Sequence, residues 1–130
     1  MGGNSSEKYV SINTGNAVLK SLNEVGVNAK SCIYEGDIKD YLHILKDSDL
    51  IFIALHGGDG ENGKIQLFLE RNNILYTGSN SNTSKVAINK HLTKMVMIKN
   101  KIPTAPWKYF PESTFFTNTL LEFLLKGYVR

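Results

Sequence analysis

Apolar positions along the chain come in short blocks whose period switches between helix-like and strand-like. Val10, Ala17, Val18, Leu22 and Val25 share one face at helical spacing, and Gly26 reads as the stop. A β-favouring piece, "SCIY", follows. Helical spacing returns in "GDIKDYLHILKD" through Ile38, Tyr41, Leu42 and Leu45, with Asp37 as the N-cap. "DLIFIAL" is continuous rather than alternating, the pattern of a strand buried on both faces between helix layers. "KIQLFLERNN" reads as a short helix and "ILYTG" as a strand. "SNSNTS" reads as a polar loop ending in a capping Ser84. A further amphipathic helix runs through Ala87, His91, Met95 and Ile98. "IPTAPW" must be extended, because Pro103 and Pro106 restrict themselves and their predecessors. "STFFTNTLLEFLL" returns to helix. This alternation predicts an α/β fold, an open parallel sheet with helices on both faces.

The two ends refine that expectation. A sheet of this kind has a strand feeding its first glycine loop, yet Met1 is followed at once by Gly2 and Gly3, so the sheet is expected to lack its first strand. Residues 126–130 read as the beginning of another strand.

Composition narrows the classes. A chain of 130 residues fits one domain and can bury roughly two-thirds of its unfolded surface. The single cysteine, Cys32, excludes an internal disulfide, and the three histidines lack zinc-ligand spacing, so no metal site is expected within the chain. No apolar run approaches the roughly 20 residues that span a bilayer, and there is no signal-like h-region. A cytoplasmic protein without a membrane partner is expected. The net charge of +3 arises from 15 basic and 12 acidic residues that are interspersed, which argues against nucleic acid as a partner.

Ligands of open parallel sheets bind beyond the carboxyl ends of the strands, and "LHGGDGENG" stands there, straight after "DLIFIA". Its glycines permit close backbone approach, and His56, Asp59 and Glu61 offer polar handles. A plain surface turn is the competing explanation. Glu7 opens a helix after two glycines and two serines. It is either a carboxylate that complements the helix dipole, closing a capping box with Asn4, or a receiver for a ligand's ammonium or guanidinium group. Gly2-Gly3 lacks the spacing of a Walker motif and of GxGxxG. Lys90 has the spacing of a solvated helix face, His91 that of a packed histidine and Cys32 that of a small strand residue. Trp107 reads as an anchor for the connection. No Gly-x-Ser-x-Gly elbow supports a serine nucleophile.

Taken in order, "GGNSSEKYVSINTGNAVLKSLNEVG", "FIALHGGDGENGKIQ", "LYTGSNSNTSKVAINKHLTK" and "IPTAPW" resemble the N-terminal region of bacterial D-alanine–D-alanine ligases. The resemblance covers the chain to about Trp107. It implies a pre-ATP-grasp, Rossmann-like domain over 1–108, with 109–130 as the connection and start of an ATP-grasp domain. The implied reaction is ATP-dependent and cytoplasmic: Mg2+ neutralises phosphates, the carboxylate of one D-alanine becomes an acyl phosphate, and the amine of a second attacks it to give the peptidoglycan dipeptide. A homodimer is a further implied possibility. Carried over residue by residue, Glu7 and His56 are the catalytic candidates, holding the ammonium group and flanking the reacting carboxylate of the first D-alanine. Val10 lines that pocket, Glu61 orients its loop, and Lys90 reaches the nucleotide phosphates.

Four positions depart from the family pattern: Asn62 and Asn89 stand in place of Asp, Leu67 in place of Gly, and Leu75 in place of Pro. Most ATP-grasp residues are expected beyond residue 130, so residues 1–130 are expected not to ligate alone. A non-catalytic remnant, or a binding module that complements a separate ATP-grasp chain, stays open as the alternative, as does the leading domain of another ATP-grasp enzyme.

Overall fold

The computed structural model describes residues 1–110. The helix expected in "STFFTNTLLEFLL" and the strand expected at 126–130 lie outside the described residues. Helix α1 spans Lys8–Glu24. It ends in a Schellman arrangement, with Gly26 at φ +84° donating to Asn23 O at 3.1 Å and Val27 N–H returning to Leu22 O at 3.0 Å. Gly26 is the stop the pattern predicts.

The face that α1 buries is not the expected one. Val10, Ala17 and Val25 are exposed, while Ser11 and Gly15 are buried and Ile12, Val18, Leu19 and Leu22 partly covered. The reason is steric: a Cβ on Gly15 would lie 2.7 Å from Met1 Cβ, so α1 docks through small side chains. Hydrophobic periodicity does not register a contact made by serine and glycine.

Residues Ile38–Tyr41 form a 3-10 turn that leads into α2, Leu42–Lys46. Asp37 caps it as expected, its Oδ1 accepting Lys39 N–H at 3.0 Å. Helix α3 spans Lys64–Arg71, α4 spans Ser81–Ala87 and α5 spans Lys90–Lys99. The single helix expected after a Ser84 cap is thus two. Asn80 caps α4 through Thr83 N–H at 2.8 Å, Asn89 caps α5 through Leu92 N–H at 3.0 Å, and Ser84 lies inside α4. Asparagine is at least as good a cap as serine, and the second cap restarts the helix.

The expected sheet is not formed among the described residues, which hold only two isolated parallel bridges, Gly2 with Tyr34 and Ile51 with Tyr76. Tyr34 N–H donates to Met1 O at 2.9 Å and Gly3 N–H to Tyr34 O at 2.8 Å, so residues 1–3 lie along "SCIY" where a missing strand was expected. Ile51 N–H donates to Leu75 O and Thr77 N–H to Ile51 O, both at 2.9 Å. Both pairings have the parallel sense that the sequence predicts, but no continuous sheet joins them among the described residues. A side chain stands between the pairs: Ser11 Oγ accepts Gly2 N–H at 2.9 Å and donates to Ala54 O at 2.8 Å. "DLIFIAL" is also not buried on both faces, since Leu50 and Phe52 are exposed.

The core gathers Tyr34, Leu45, Ile65, Leu69 and Ile74, with Ile38, Leu42, Ile53 and Phe68 packed around it. It lies between α2, α3 and the extended segments. No helix among the described residues is long and apolar enough to cross a membrane.

Candidate functional site

The two glycine-bearing loops meet at one end of the paired segments. Gly2, Gly3 and Ser5 face Leu55, His56 and Gly57 across a cleft of about 150 Å³. The second loop turns through a 3-10 segment, Gly58–Gly60, and reaches α3 through Gly63. Its geometry answers to specific neighbours. Gly57 has φ +66°, and a Cβ there would collide with Glu7 Oε2. Gly63 has φ +89°, and a Cβ there would strike the backbone carbonyl of Ser81 at the start of α4.

Glu7 occupies the N-cap position of α1 but makes no side-chain cap. The capping box with Asn4 is not formed, because Asn4 bonds Gly36 instead: Nδ2 donates to Gly36 O at 2.8 Å and Oδ1 accepts Gly36 N–H at 3.0 Å. The Glu7 carboxylate is therefore turned to the glycine loop rather than to its own helix. Ser5 ties the two together, its Oγ accepting Glu7 N–H at 3.1 Å and donating to His56 O at 2.6 Å. The half-buried His56 ring places Nε2 3.0 Å from Thr14 Oγ1. Glu7, Val10 and Thr14 recur at helical spacing on α1. The structure thus brings the Glu7 carboxylate against Gly57, next to His56; His56 lines the cleft, whereas Glu7 and Val10 are not among its lining residues and Val10 is 50% exposed.

Glu61 is exposed at the end of the Gly58–Gly60 turn. Lys90 is the first residue of α5, exposed, and no hydrogen bond or ion pair among the described residues joins it to Glu7 or His56. Asp59 belongs to the loop's own scaffold: Lys64 Nζ at 2.9 Å and Asn62 Nδ2 at 3.0 Å hold its carboxyl below the usual carboxylate range. Among the described residues no group of three His, Cys, Asp or Glu side chains is placed to hold a metal ion.

Three residues that sequence reasoning passed over also shape the site. Ser5 lines the cleft, and Thr14 meets it through the His56 ring; Thr14 was detectable as the residue two turns after Glu7 on the same helix face. Glu70 was not detectable by spacing. Its carboxylate accepts Tyr76 OH at 2.6 Å, Ser81 N–H at 2.8 Å and Ser81 Oγ at 2.6 Å, fastening "YTGSNS" to α3. Those bonds, Ser81 hydroxyl first, hold Glu70 below its ordinary value, while burial and then Glu70 push Tyr76 up to about 12.

The departures at 62, 67, 75 and 89 are each accommodated. Asn62 Oδ1 accepts Lys64 N–H at 3.0 Å while its amide donates to Asp59, a bond an aspartate could not make. Asn89 is an N-cap, where Asn and Asp are equivalent. Leu67 is 39% exposed on α3 and Leu75 is 71% exposed, so neither adds bulk to the core. His91 packs as expected. Its Nδ1 accepts Trp107 Nε1–H at 3.0 Å, and its ring stacks on Tyr109 with centroids 4.4 Å apart, anchoring the connection on α5. Cys32 is half-buried, and burial raises its thiol.

No protein-family model matches the chain. A D-alanine–D-alanine ligase of Aquifex aeolicus is 40% identical over 119 residues, which cover 92% of this chain and 40% of that protein. One of Aromatoleum aromaticum is 39% identical over 132 aligned positions, covering 100% of this chain and 42% of that protein. The crystal structure of D-alanine–D-alanine ligase from Bacillus anthracis complexed with ATP superposes with a TM-score of 0.80 at 34% identity, over 95% of this chain and 42% of that chain. The chain therefore spans about two-fifths of the length of these relatives.

Proposed function

From the homology of this chain to D-alanine–D-alanine ligases over nearly all of its length, we propose that it supplies the substrate-side, N-terminal part of such a ligase. Residues 1–108 form that domain, in which the two parallel pairings belong to one open parallel sheet with helices on both faces. Residues 109–130 lead toward an ATP-grasp domain.

In this reading the cleft beside Gly2 and Gly3 receives D-alanine. Glu7 pairs with its ammonium group, an interaction a carboxylate makes best when its own helix leaves it unengaged. His56 stands at the carboxylate that is activated. Val10 walls the side next to Glu7, and Glu61 orients the loop. The whole ligase, with ATP as co-substrate, phosphorylates that carboxylate, and the amine of a second D-alanine displaces the phosphate. Positioning and electrostatics carry most of the rate in such chemistry. Lys90, an exposed cation opening α5, is offered to the phosphates. The resemblance assigns the ligands of Mg2+ to the part of the ligase that this chain does not span. A cytoplasmic homodimer goes with this reading.

The observation that carries it is the approach of the glycine loop to Glu7: Gly57, next to His56, sits against that carboxylate at φ +66°, a conformation that favours glycine. The test is a titration of the 15N-labelled chain with D-alanine and with L-alanine. D-alanine should shift the amides of Glu7, His56 and Gly57 at lower concentration than L-alanine, and Glu7→Gln should abolish the response. Equal response to both enantiomers, or none near Glu7, overturns the assignment. The chain alone, given ATP, Mg2+ and D-alanine, should release no dipeptide.

A further inference from the structure

Thr14 lies on α1 two turns beyond Glu7, with Oγ1 3.0 Å from His56 Nε2. A hydroxyl and a neutral imidazole nitrogen can share a proton in either sense, and the other bonds that each group makes decide which. Two other helical hydroxyls give their proton to a backbone carbonyl: Ser11 on α1 donates to Ala54 O at 2.8 Å and Thr93 on α5 to Val86 O at 3.0 Å. Thr14 has no such carbonyl among the described residues, and its hydroxyl makes the single contact to His56. The other end of His56 is held independently, since its carbonyl accepts the Ser5 hydroxyl at 2.6 Å.

We infer that Thr14 is a positioning residue: its hydroxyl donates to His56 Nε2 and so keeps the imidazole proton on Nδ1. The residue at 56 is then anchored at both backbone and ring, with one ring nitrogen occupied by the protein and the other left as an N–H donor. This rests on the proposed role of His56 only in its last step, where an Nδ1–H meets a substrate carboxylate oxygen, which needs a donor. A histidine protonated on Nε2 would offer its lone pair there and repel the oxygen.

The test reads the tautomer directly, without ligand, so its outcome is independent of whether D-alanine binds. Long-range 1H–15N spectra of the labelled chain at alkaline pH, where imidazole is neutral, separate protonated from unprotonated ring nitrogens. The His56 signals are assigned by their loss in His56→Asn. In the unsubstituted chain Nε2 should resonate as the unprotonated nitrogen. Thr14→Ser, which keeps the hydroxyl, should preserve that pattern, and Thr14→Val should move the proton toward Nε2. A proton on Nε2 in the unsubstituted chain overturns the inference, whatever the folding of the variants. So does an unchanged tautomer ratio in Thr14→Val with a native amide fingerprint.

Discussion

Ser11 on α1 donates its hydroxyl proton to the carbonyl of Ala54, 2.8 Å away across 43 residues of sequence, and both residues are buried. The same oxygen accepts Gly2 N–H. One hydroxyl thus satisfies a backbone donor and a backbone acceptor from two different segments.

Ser11→Ala should therefore leave two buried backbone groups unpaired. At about 1–3 kcal/mol for each such group, the variant should lose roughly 2 kcal/mol or more of stability, measured as the shift in urea midpoint. A loss no larger than that of an exposed Ser→Ala change would show that the hydroxyl bridges nothing.

Glu70 gives an acid-dependent contribution with a defined sign. Its carboxyl is held below the ordinary value of 4.5 in the folded chain, first by the Ser81 hydroxyl and then by Tyr76. The unfolded chain then binds a proton more readily, so this contribution is present above pH 4.5 and is lost as pH falls through the folded value. Glu70→Gln should lower stability at neutral pH and flatten the acid limb of a stability–pH profile. Tyr76 shifts the other way, to about 12, so its contribution is present below about 10 and lost as pH rises through the folded value. Tyr76→Phe should remove a late-titrating tyrosine, one pushed up to about 12, from an absorbance titration.

Gly57→Ala is expected to impair binding through Glu7. A methyl group there collides with the Glu7 carboxylate and must also adopt φ +66°. If Glu7 holds the ammonium group, D-alanine affinity should fall roughly 10- to 100-fold, the range of a charge-assisted hydrogen bond of about 1.5–3 kcal/mol. Calorimetry at matched folded fraction checks it.

Leu67→Gly restores the residue expected from the family pattern, yet it should destabilise this chain by about 1 kcal/mol. Leu67 sits within α3 with 39% of its surface exposed, so the change mainly exchanges a good helix former for the poorest after proline. Leu69→Ala, two residues on at 1% exposure, should cost more, about 2–5 kcal/mol. Chemical denaturation of both variants tests the ordering.

Trp107 is the one tryptophan in the sequence, which makes the docking of the connection on α5 directly observable. Its indole N–H donates to His91 Nδ1 and its ring lies 5.5 Å from Lys94 Nζ. His91→Ala should shift Trp107 emission to longer wavelength and raise its accessibility to iodide, with far-ultraviolet circular dichroism little changed.

Much of the chain was legible because it obeys periodicity or punctuation. Asp37 and Gly26 were readable as cap and stop, and α3 was readable from its apolar spacing. The face of α1 was not, because contact there depends on the smallness of Ser11 and Gly15. The break at Asn89 was missed because a capping asparagine inside an apolar-periodic run looks like any polar residue. At the site, Glu7 and His56 were visible through ordered motifs. Ser5 was not, and Thr14 was legible only as a residue sharing Glu7's helix face, since a hydroxyl's role depends on which atoms face it, and that is settled by folding. Glu70 resembles any acid on a helix face until Tyr76 and Ser81 turn back onto it.

The clasp at Glu70 also bears on the order in which parts of the chain become protected. Its partners lie only 6 and 11 residues away, so closing it demands little loop entropy compared with the distant pairing of residues 1–3. Residues 64–87, two helices fastened by one carboxylate with Leu69 buried, are therefore expected to open as one local unit. Their amides should be the slowest to exchange with deuterium, while those of residues 1–3 open first.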